Sequence, residues 1–368
     1  MKDFNYWKKL HESEQLDEFS SDNIGLLWLK TKSIVRKELI AEFVQRNSTT
    51  LKETALGKQF VELFELLCKN VDNSHKILDT YIKEKNKIQV SELNTEQLVS
   101  ELYKLKNFDW GGDYQNSLDK YLVSRYVKVH KSYDTLVSKF ETEIHVAVQG
   151  YVLNSWYNHW SSILIEHIFK SHPTVLPTVG QIKSVDFFIN NVPFDLKVTY
   201  LPAEYIKFKR KEKGLPVEFT FLKSKATDAK ITFDKKAKDT DIFYEIVEKM
   251  KDKNDEFCNN VLTTLKNEKL EILKEVQNDP KILAKWLYEN QGEMRFGSEN
   301  RLFLVLVDTD DFANSWKLKR NLELLKPTIM NYLDNFKNKK IDDLKVSFGY
   351  KGKPQTFTAL TDIIFVVK

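Results

Sequence analysis

Residues 185–200 read VDFFINNVPFDLKVTY and carry the strongest structural signal in this chain of 368 residues. Apolar residues recur at every second position before and after Asn190-Asn191, which is the period of a β-strand. Asparagine tolerates the positive φ angle that a tight two-residue turn requires. The sequence therefore predicts a β-hairpin, and the apolar faces of its strands suit the core of a sheet.

The charged side chains of this hairpin share one face. With a two-residue loop, Ile189 pairs with Val192 and Asp186 lies opposite Asp195, whereas a four-residue loop sets Asp186 opposite Lys197. In both registers the two carboxylates and the lysine lie on the same face, because side chains alternate along a strand. Facing carboxylates repel unless one is protonated, a lysine neutralises them or a cation bridges them. This pattern predicts a hard-metal site, since Mg²⁺ takes only one or two protein carboxylates.

The spacing of Asp186 and Asp195-Leu196-Lys197 resembles the active-site motif of the PD-(D/E)xK nuclease superfamily, which includes many type II restriction endonucleases. Val185 replaces the proline of the motif and leaves both carboxylates in place. The resemblance covers residues 141–368. It implies an α/β (α+β) nuclease core with a restriction-endonuclease-like mixed central sheet flanked by helices, and with a basic and helical insertion at about 201–295.

The order of elements in the sequence is similar to that core. A helix over about Glu143–Lys170 precedes the hairpin, and residues 240–290 again have helical character. Further along the chain the sequence predicts a buried strand over Arg301–Asp308. A helix capped by Asp310 or Asp311 follows and reaches about Lys337. Two closing strands are predicted over Leu344–Tyr350 and Thr361–Lys368. Residues 1–140 read as an all-helical region, a candidate for DNA recognition or dimerisation.

The resemblance implies Mg²⁺-dependent, sequence-specific hydrolysis of double-stranded DNA that leaves 5′-phosphate ends. Asp186 and Asp195 would hold the metal together with the Leu196 carbonyl, and Lys197 would position or help deprotonate the attacking water. The superfamily often carries an acid on the preceding helix, and Glu166 is the matching candidate. It could equally be a glutamate at the solvent edge of that helix.

The resemblance also implies partners. A type II restriction endonuclease would act on double-stranded DNA as a homodimer matching a palindromic site, with a cognate DNA methyltransferase in the same system. Two rival interpretations stay open: another PD-(D/E)xK nuclease in repair or phage defence, and a non-catalytic DNA-binding protein with a degenerate nuclease fold.

A second copy of the motif spacing tests its specificity. Asp334 and Asp343-Leu344-Lys345 repeat the separation of Asp186 and Asp195-Leu196-Lys197. Asp334 lies in a polar stretch of helical character, whereas residues 186–197 have alternating apolar strands on both sides of a turn. We therefore place the candidate site in the first copy.

Positive charge is concentrated in the middle of the chain. Residues 201–240 contain eleven Lys and Arg against six Asp and Glu, a net charge of +5 in a chain of net charge +4. Such a segment, close after the motif, could neutralise phosphates, or it could be a solvated lysine-rich loop. The predicted DNA contacts are Lys207, Lys209, Arg210, Lys211 and Lys213, and further lysines follow at 223, 225, 230, 235, 236 and 238.

Composition excludes several classes of protein. Apolar residues make up 42% of the chain, enough for a packed core, and 11 Gly and 8 Pro exclude collagen-like sequence. Cys68 and Cys258 lie far apart, which makes a disulfide framework or a thiolate zinc site a poor interpretation. The N-terminus lacks the apolar region of a signal peptide, and no apolar run is long enough for a membrane span. We therefore expect a cytoplasmic protein with reduced thiols.

Overall fold

A computed structural model describes residues 2–110, 117–290, 299–350 and 353–368. In these residues the fold is mixed α+β, and six strands form one mixed sheet in the order β1-β2-β3-β4-β6-β5. The strands are β1 (Val175–Ile182), β2 (Val185–Ile189), β3 (Val192–Tyr200), β4 (Arg301–Val307), β5 (Lys345–Tyr350) and β6 (Lys353–Val367).

The chain divides into two compact units. The first combines Met1–Val198 with Tyr288–Lys368, and the second is Thr199–Leu287. The sequence had predicted an insertion over about 201–295, and residues 291–295 of that range lie outside the described residues. The second unit thus interrupts the sheet in sequence, between β3 and β4.

Helices make up the N-terminal part of the first unit. They are α1 (Phe4–Glu12), α2 (Asn23–Ser33), α3 (Lys37–Arg46), α4 (Leu56–Leu67), α5 (Val71–Ser91), α6 (Thr95–Leu102), α7 (Leu118–Leu122) and α8 (Tyr133–Val137). Trp7, Trp28 and Phe60 of these helices share one core with Val179 and Phe188 of β1 and β2. Residues 1–140, which the sequence interpretation set apart as a helical domain, belong to the same compact unit as the sheet, and the helices up to Ile82 share this core with β1 and β2.

Strand β1 was not predicted from the sequence. Within this strand Pro177 pairs with Phe187 in an antiparallel β1–β2 ladder. Because β1 is an edge strand, it tolerates a proline that has no amide hydrogen to donate.

The hairpin has a two-residue loop, one of the two loop lengths considered from the sequence. Ile189 pairs with Val192 and Phe187 pairs with Phe194, and the two asparagines of the loop have φ angles of 46° and 69°. These positive angles give the hairpin the tight turn that matches the twist of its strands.

The long helix before the sheet is α9 (His145–Lys170), and it follows a π-helical turn over Phe140–Ile144. Phe169 of α9 stacks on Phe187 of β2, with ring centroids 5.1 Å apart. This contact packs the C-terminal end of α9 against β2.

The C-terminal part of the first unit completes the sheet. Asp311 caps a 3₁₀-helix over Phe312–Arg320, where a continuous helix was predicted. The helices α15 (Leu322–Asn335) and α16 (Ile341–Leu344) follow it. β6 pairs parallel with β4 and antiparallel with β5, which makes the sheet mixed.

The second unit is helical. Its helices are α10 (Ala203–Glu212), α11 (Glu218–Asp228), α12 (Asp239–Lys253), α13 (Glu256–Asn278) and α14 (Pro280–Asn290), the last of which ends in the first unit. Leu222, Ile246 and Leu265 belong to a core formed by α11, α12 and α13. No helix among the described residues has the length and apolar character needed to cross a membrane.

Candidate active site

The candidate site lies where the two strands of the hairpin separate. Continuing the register by one residue beyond Phe187–Phe194 sets Asp186 opposite Asp195. Here the amide of Leu196 donates to Asp186 Oδ2 at 2.8 Å, and the amide of Asp195 donates to the Asn300 carbonyl at 2.9 Å. The Asp186 carboxylate therefore acts as a hydrogen-bond acceptor between the two strands, and the Leu196 amide fixes its position.

Burial disfavours negative charge on both aspartates. It raises the pKa of Asp186 to about 6, and the charges of Glu166 and Asp195 act in the same direction. Burial also raises the pKa of Asp195, whose residue is 7% exposed, against the opposing effect of Lys197. Two neighbouring carboxyl groups whose pKa values are raised by burial and by nearby acids are typical of sites that bind a cation or transfer a proton.

Lys197 lies on the same strand face as Asp195. Its Nζ donates to Asp195 Oδ1 at 2.9 Å and lies 2.7 Å from Oδ2. The lysine side chain is 47% exposed. Its ammonium therefore neutralises a buried carboxylate on one side and faces solvent on the other.

Glu166 acts on Asp186 through its charge. Its charge is the largest contribution to the raised pKa of Asp186 after burial. It lies on α9, where it accepts a hydrogen bond from Lys170 Nζ at 2.8 Å. Glu143, near the start of the same helical segment, pairs with Lys139 at 2.7 Å and is partly exposed.

Arg301 and Glu299 flank the site and were not predicted from the sequence. Arg301 Nε lies 3.9 Å from Asp195 Oδ2, and its Nη2 donates to Glu299 Oε2 at 2.9 Å. Burial opposes the charge of Glu299, but Arg301 and Ser184 outweigh it and hold the pKa of Glu299 below its usual value. A charged residue at the start of an otherwise apolar strand was the signal available in the sequence.

Glu14 brings the N-terminal helical region to this cluster. It follows α1 with a φ angle of 57°, is 3% exposed and pairs with Lys183. Burial and the neighbouring Glu299 raise the pKa of its carboxyl group. Nothing in the local sequence around Glu14 distinguishes it from an exposed glutamate.

The donor set for a metal ion is small. Among the residues that the structure describes, no group of three or more His, Cys, Asp or Glu side chains is arranged as a metal site. Asp195 Oδ2 is buried and lies 2.7 Å from Lys197 Nζ, so a cation bound there would share this oxygen with the lysine. The Leu196 carbonyl faces the same side of β3 as its amide, because a residue in a ladder presents both groups to one neighbour. Two carboxylates and one carbonyl fit Mg²⁺, which keeps several waters.

The second copy of the motif has a different geometry. Asp334 lies on α15, as predicted, and its Oδ1 is 3.1 Å from His172 Nε2. Asp343 lies in the short helix α16, and Lys345 pairs with Asp342 at 2.8 Å. No hairpin places Asp334 opposite Asp343 in the described part of the chain.

The predicted DNA contacts on α10 differ in exposure, and one needs correction. Arg210 is 2% exposed, pairs with Glu268 and donates to the Pro216 carbonyl at 2.9 Å. This burial removes Arg210 from the surface that a phosphate could reach. Lys209 and Lys213 both pair with Glu275 and retain partial exposure.

The remaining predicted contacts lie at the surface of the second unit. Lys207 is partly exposed and pairs with Glu204 at 3.3 Å, and Lys211 is exposed. The loop between α11 and α12 carries four further exposed lysines, which have no ion-pair partner among the described residues: Lys230, Lys235, Lys236 and Lys238. The largest share of the unpaired positive charge of residues 201–240 therefore lies in this loop.

Comparison of the chain with protein-family models, curated proteins and solved structures finds no match. The function must therefore be argued from the hairpin, its carboxylates and the charge around them.

Proposed function

We propose that the chain is a Mg²⁺-dependent DNA endonuclease with a restriction-endonuclease-like core. The observation that carries the proposal is the separated hairpin, where Asp186 and Asp195 face each other beside Lys197. Two neighbouring carboxyl groups with raised pKa values, one of them buried, would destabilise a hairpin that had only a structural role. The order of α9, the hairpin and a mixed sheet also supports the likeness to that core.

Asp186, Asp195 and the Leu196 carbonyl would hold the metal. Bound there, Mg²⁺ would act as a Lewis acid that polarises a phosphodiester. The carboxylates contribute by supplying negative charge at a fixed place: the Leu196 amide holds Asp186, and the Asn300 carbonyl anchors the backbone of Asp195.

Lys197 would orient the attacking water or stabilise charge on the phosphate. Its ammonium is held by Asp195 and is about half exposed, so a substrate can approach it without unfolding of the strand. A fixed cation beside a reacting phosphate stabilises the charge that develops in the transition state. Glu166 would tune Asp186 through its charge, with Lys170 setting its orientation.

DNA binding would draw on the second unit. Its exposed lysines, above all those of residues 230–238, are suited to sequence-independent contacts with phosphates. The recognition sequence is a separate property, because base readout depends on a few side chains in a groove.

Digestion of plasmid DNA with and without Mg²⁺ tests the proposal. Wild type should cleave with Mg²⁺ and not with EDTA, and Asp186→Ala should not cleave while it still binds DNA. Discrete bands would support restriction, whereas a smear would favour a less specific nuclease of repair or phage defence. Binding without cleavage by the wild type would favour the non-catalytic interpretation.

The two Asp-Leu-Lys triplets provide a matched control. We predict that Lys197→Ala lowers the single-turnover cleavage rate by at least about 100-fold, because it removes a positioned electrostatic or acid–base group. Lys345→Ala makes the same chemical change at an exposed residue paired with Asp342, and it should cleave at nearly the wild-type rate. A large loss for Lys345→Ala with none for Lys197→Ala would move the site to the C-terminal triplet.

A further inference from the structure

A basic cleft lies in the first unit, between α5 and the turn that joins α9 to β1. Its volume is about 300 Å³, within the range of small-ligand pockets. Lysines and histidines dominate its polar lining, and none of the described residues that line it is acidic. The basic groups are Lys83, Lys87, His167, Lys170 and His172.

The cationic groups of the cleft come from two elements that are held together. Lys83 of α5 donates to the Pro173 carbonyl at 3.1 Å, across the cleft. Lys87, one turn further along α5, is exposed and has no ion-pair partner among the described residues. Lys170 enters from α9 with its side chain 17% exposed. Lys83 and Lys87 therefore bring positive charge to this concave surface, whereas the charge of Lys170 is paired with Glu166.

Two histidines, His167 and His172, also line the cleft. The ring of His172 is oriented by Thr174 at 2.8 Å and by Asp334 at 3.1 Å. Burial lowers the pKa of His167, and the nearby Lys170 and Lys326 act in the same direction. Lysine ammonium groups are suited to a phosphate, whose oxygens accept several hydrogen bonds at once.

The cleft is connected to the candidate active site through α9. Lys170 lines the cleft and donates to Glu166, and both residues contribute to the pKa of Asp186. We propose that the cleft binds a non-scissile phosphate of the DNA strand whose scissile phosphate lies at Asp186 and Asp195. The inference rests on the proposed nuclease function. A free phosphate compound offers the same chemistry as a phosphodiester, and the experiments therefore have to distinguish the two.

The first test measures phosphate binding alone and needs no cleavage. Inorganic phosphate is titrated at constant ionic strength against chloride, and the ring C–H signals of His167 and His172 are followed by NMR. Both signals should shift and saturate in the wild type and should lose this response in Lys83→Gln/Lys87→Gln. The signal of His75, which contacts the Asn23 carbonyl elsewhere on α5, is the internal control.

The second test measures duplex DNA binding without divalent metal as a function of salt. Lys83→Gln/Lys87→Gln should lower the slope of log K against log salt by about 1 to 2, since each phosphate contact contributes about 0.9. The matched control is Lys69→Gln/Lys76→Gln, which removes two exposed lysines of the same region that do not line the cleft. The control should keep the wild-type slope.

The outcomes separate this proposal from the nuclease proposal. Saturable histidine shifts with a reduced salt slope support a DNA phosphate in the cleft, even if plasmid digestion fails. Histidine shifts with an unchanged slope overturn it in favour of a free phosphate compound. Absence of both effects in a folded wild type overturns the cleft as a phosphate site and leaves the cleavage test of Asp186 and Lys197 unaffected.

Discussion

Asp186 combines two properties that conflict in a folded protein. It is largely withdrawn from solvent and lies near two other acids, yet its carboxylate is held in place by the Leu196 amide. A carboxyl group in this situation favours its neutral form until a cation compensates its charge. The free protein should therefore be less stable when Asp186 is ionised.

We predict that Asp186→Asn is more stable than the wild type above pH 6. The pKa of Asp186 is raised from its usual 3.8 to about 6 in the folded state, so stability is lost as the pH rises through this window. The gain from Asn should be at most about 3 kcal/mol, the free energy of such a pKa change. Thermal unfolding of both proteins from pH 4 to pH 8, without divalent metal, measures it.

The pH dependence is the control for this prediction. The difference between the two proteins should shrink toward pH 4, where Asp186 is protonated in the folded chain and about half protonated in the unfolded chain. Added Mg²⁺ should raise the melting temperature of the wild type at pH 8 and have little effect on Asp186→Asn. An equal response of both proteins to Mg²⁺ would remove Asp186 from the metal site.

At the scale of single elements, the hairpin turn determines which side chains meet. Asn190 and Asn191 both have positive φ angles, and the two-residue loop sets the register that places Asp186 opposite Asp195. A one-residue slip would turn the side chains of one strand to the opposite face. The geometry of the site therefore depends on a turn that contributes no functional side chain.

We predict that Asn191→Val destabilises the protein by about 1–2 kcal/mol, the penalty for an ordinary side chain in the left-handed region. Asn191→Gly should keep the wild-type stability or increase it slightly, since glycine adopts a φ of 69° without strain. Urea denaturation measures both. Equal stability of the two variants would show that the turn is not under this conformational constraint.

At the scale of the whole molecule, the basic segment divides into structural and exposed charge. Arg210 is enclosed in the second unit and pairs with Glu268, whereas Lys211 next to it is exposed. Net charge alone does not distinguish the two, because it counts a buried guanidinium and a solvated ammonium equally.

We predict that Arg210→Ala destabilises the second unit by about 3–5 kcal/mol, because it leaves Glu268 without its buried partner. Lys211→Ala should change stability by less than about 0.5 kcal/mol, as exposed substitutions usually do. Urea denaturation followed by circular dichroism compares them. If both variants unfold at the wild-type urea concentration, Arg210 has no structural role.

The exposed lysines should govern the electrostatic part of DNA binding. We predict that changing Lys230, Lys235, Lys236 and Lys238 to Gln lowers the slope of log K against log salt by at least about 2. The same four residues changed to Arg keep their charge and should keep the slope. A filter-binding salt titration in EDTA measures it, and equal slopes for the Gln and Arg variants would exclude this loop from the DNA interface.

Local patterns in the sequence were sufficient for the hairpin and for the face shared by Asp186, Asp195 and Lys197. Strand periodicity and the conformational freedom of asparagine are properties of neighbouring residues, so they can be read without a fold. The same holds for the helix that became α9 and for the helical location of Asp334, which separates the two motif copies.

Only the tertiary structure determined which distant residues surround this hairpin and which basic residues are buried. Glu14 and Glu299 lie far from Asp195 in the chain, and the packing of the N-terminal helices and β4 brings them to the site. Arg210 has the local sequence of an exposed lysine-rich helix, yet packing in the second unit encloses it. Burial and long-range electrostatics depend on the chain segments that pack around a residue, and its sequence neighbours do not specify these segments.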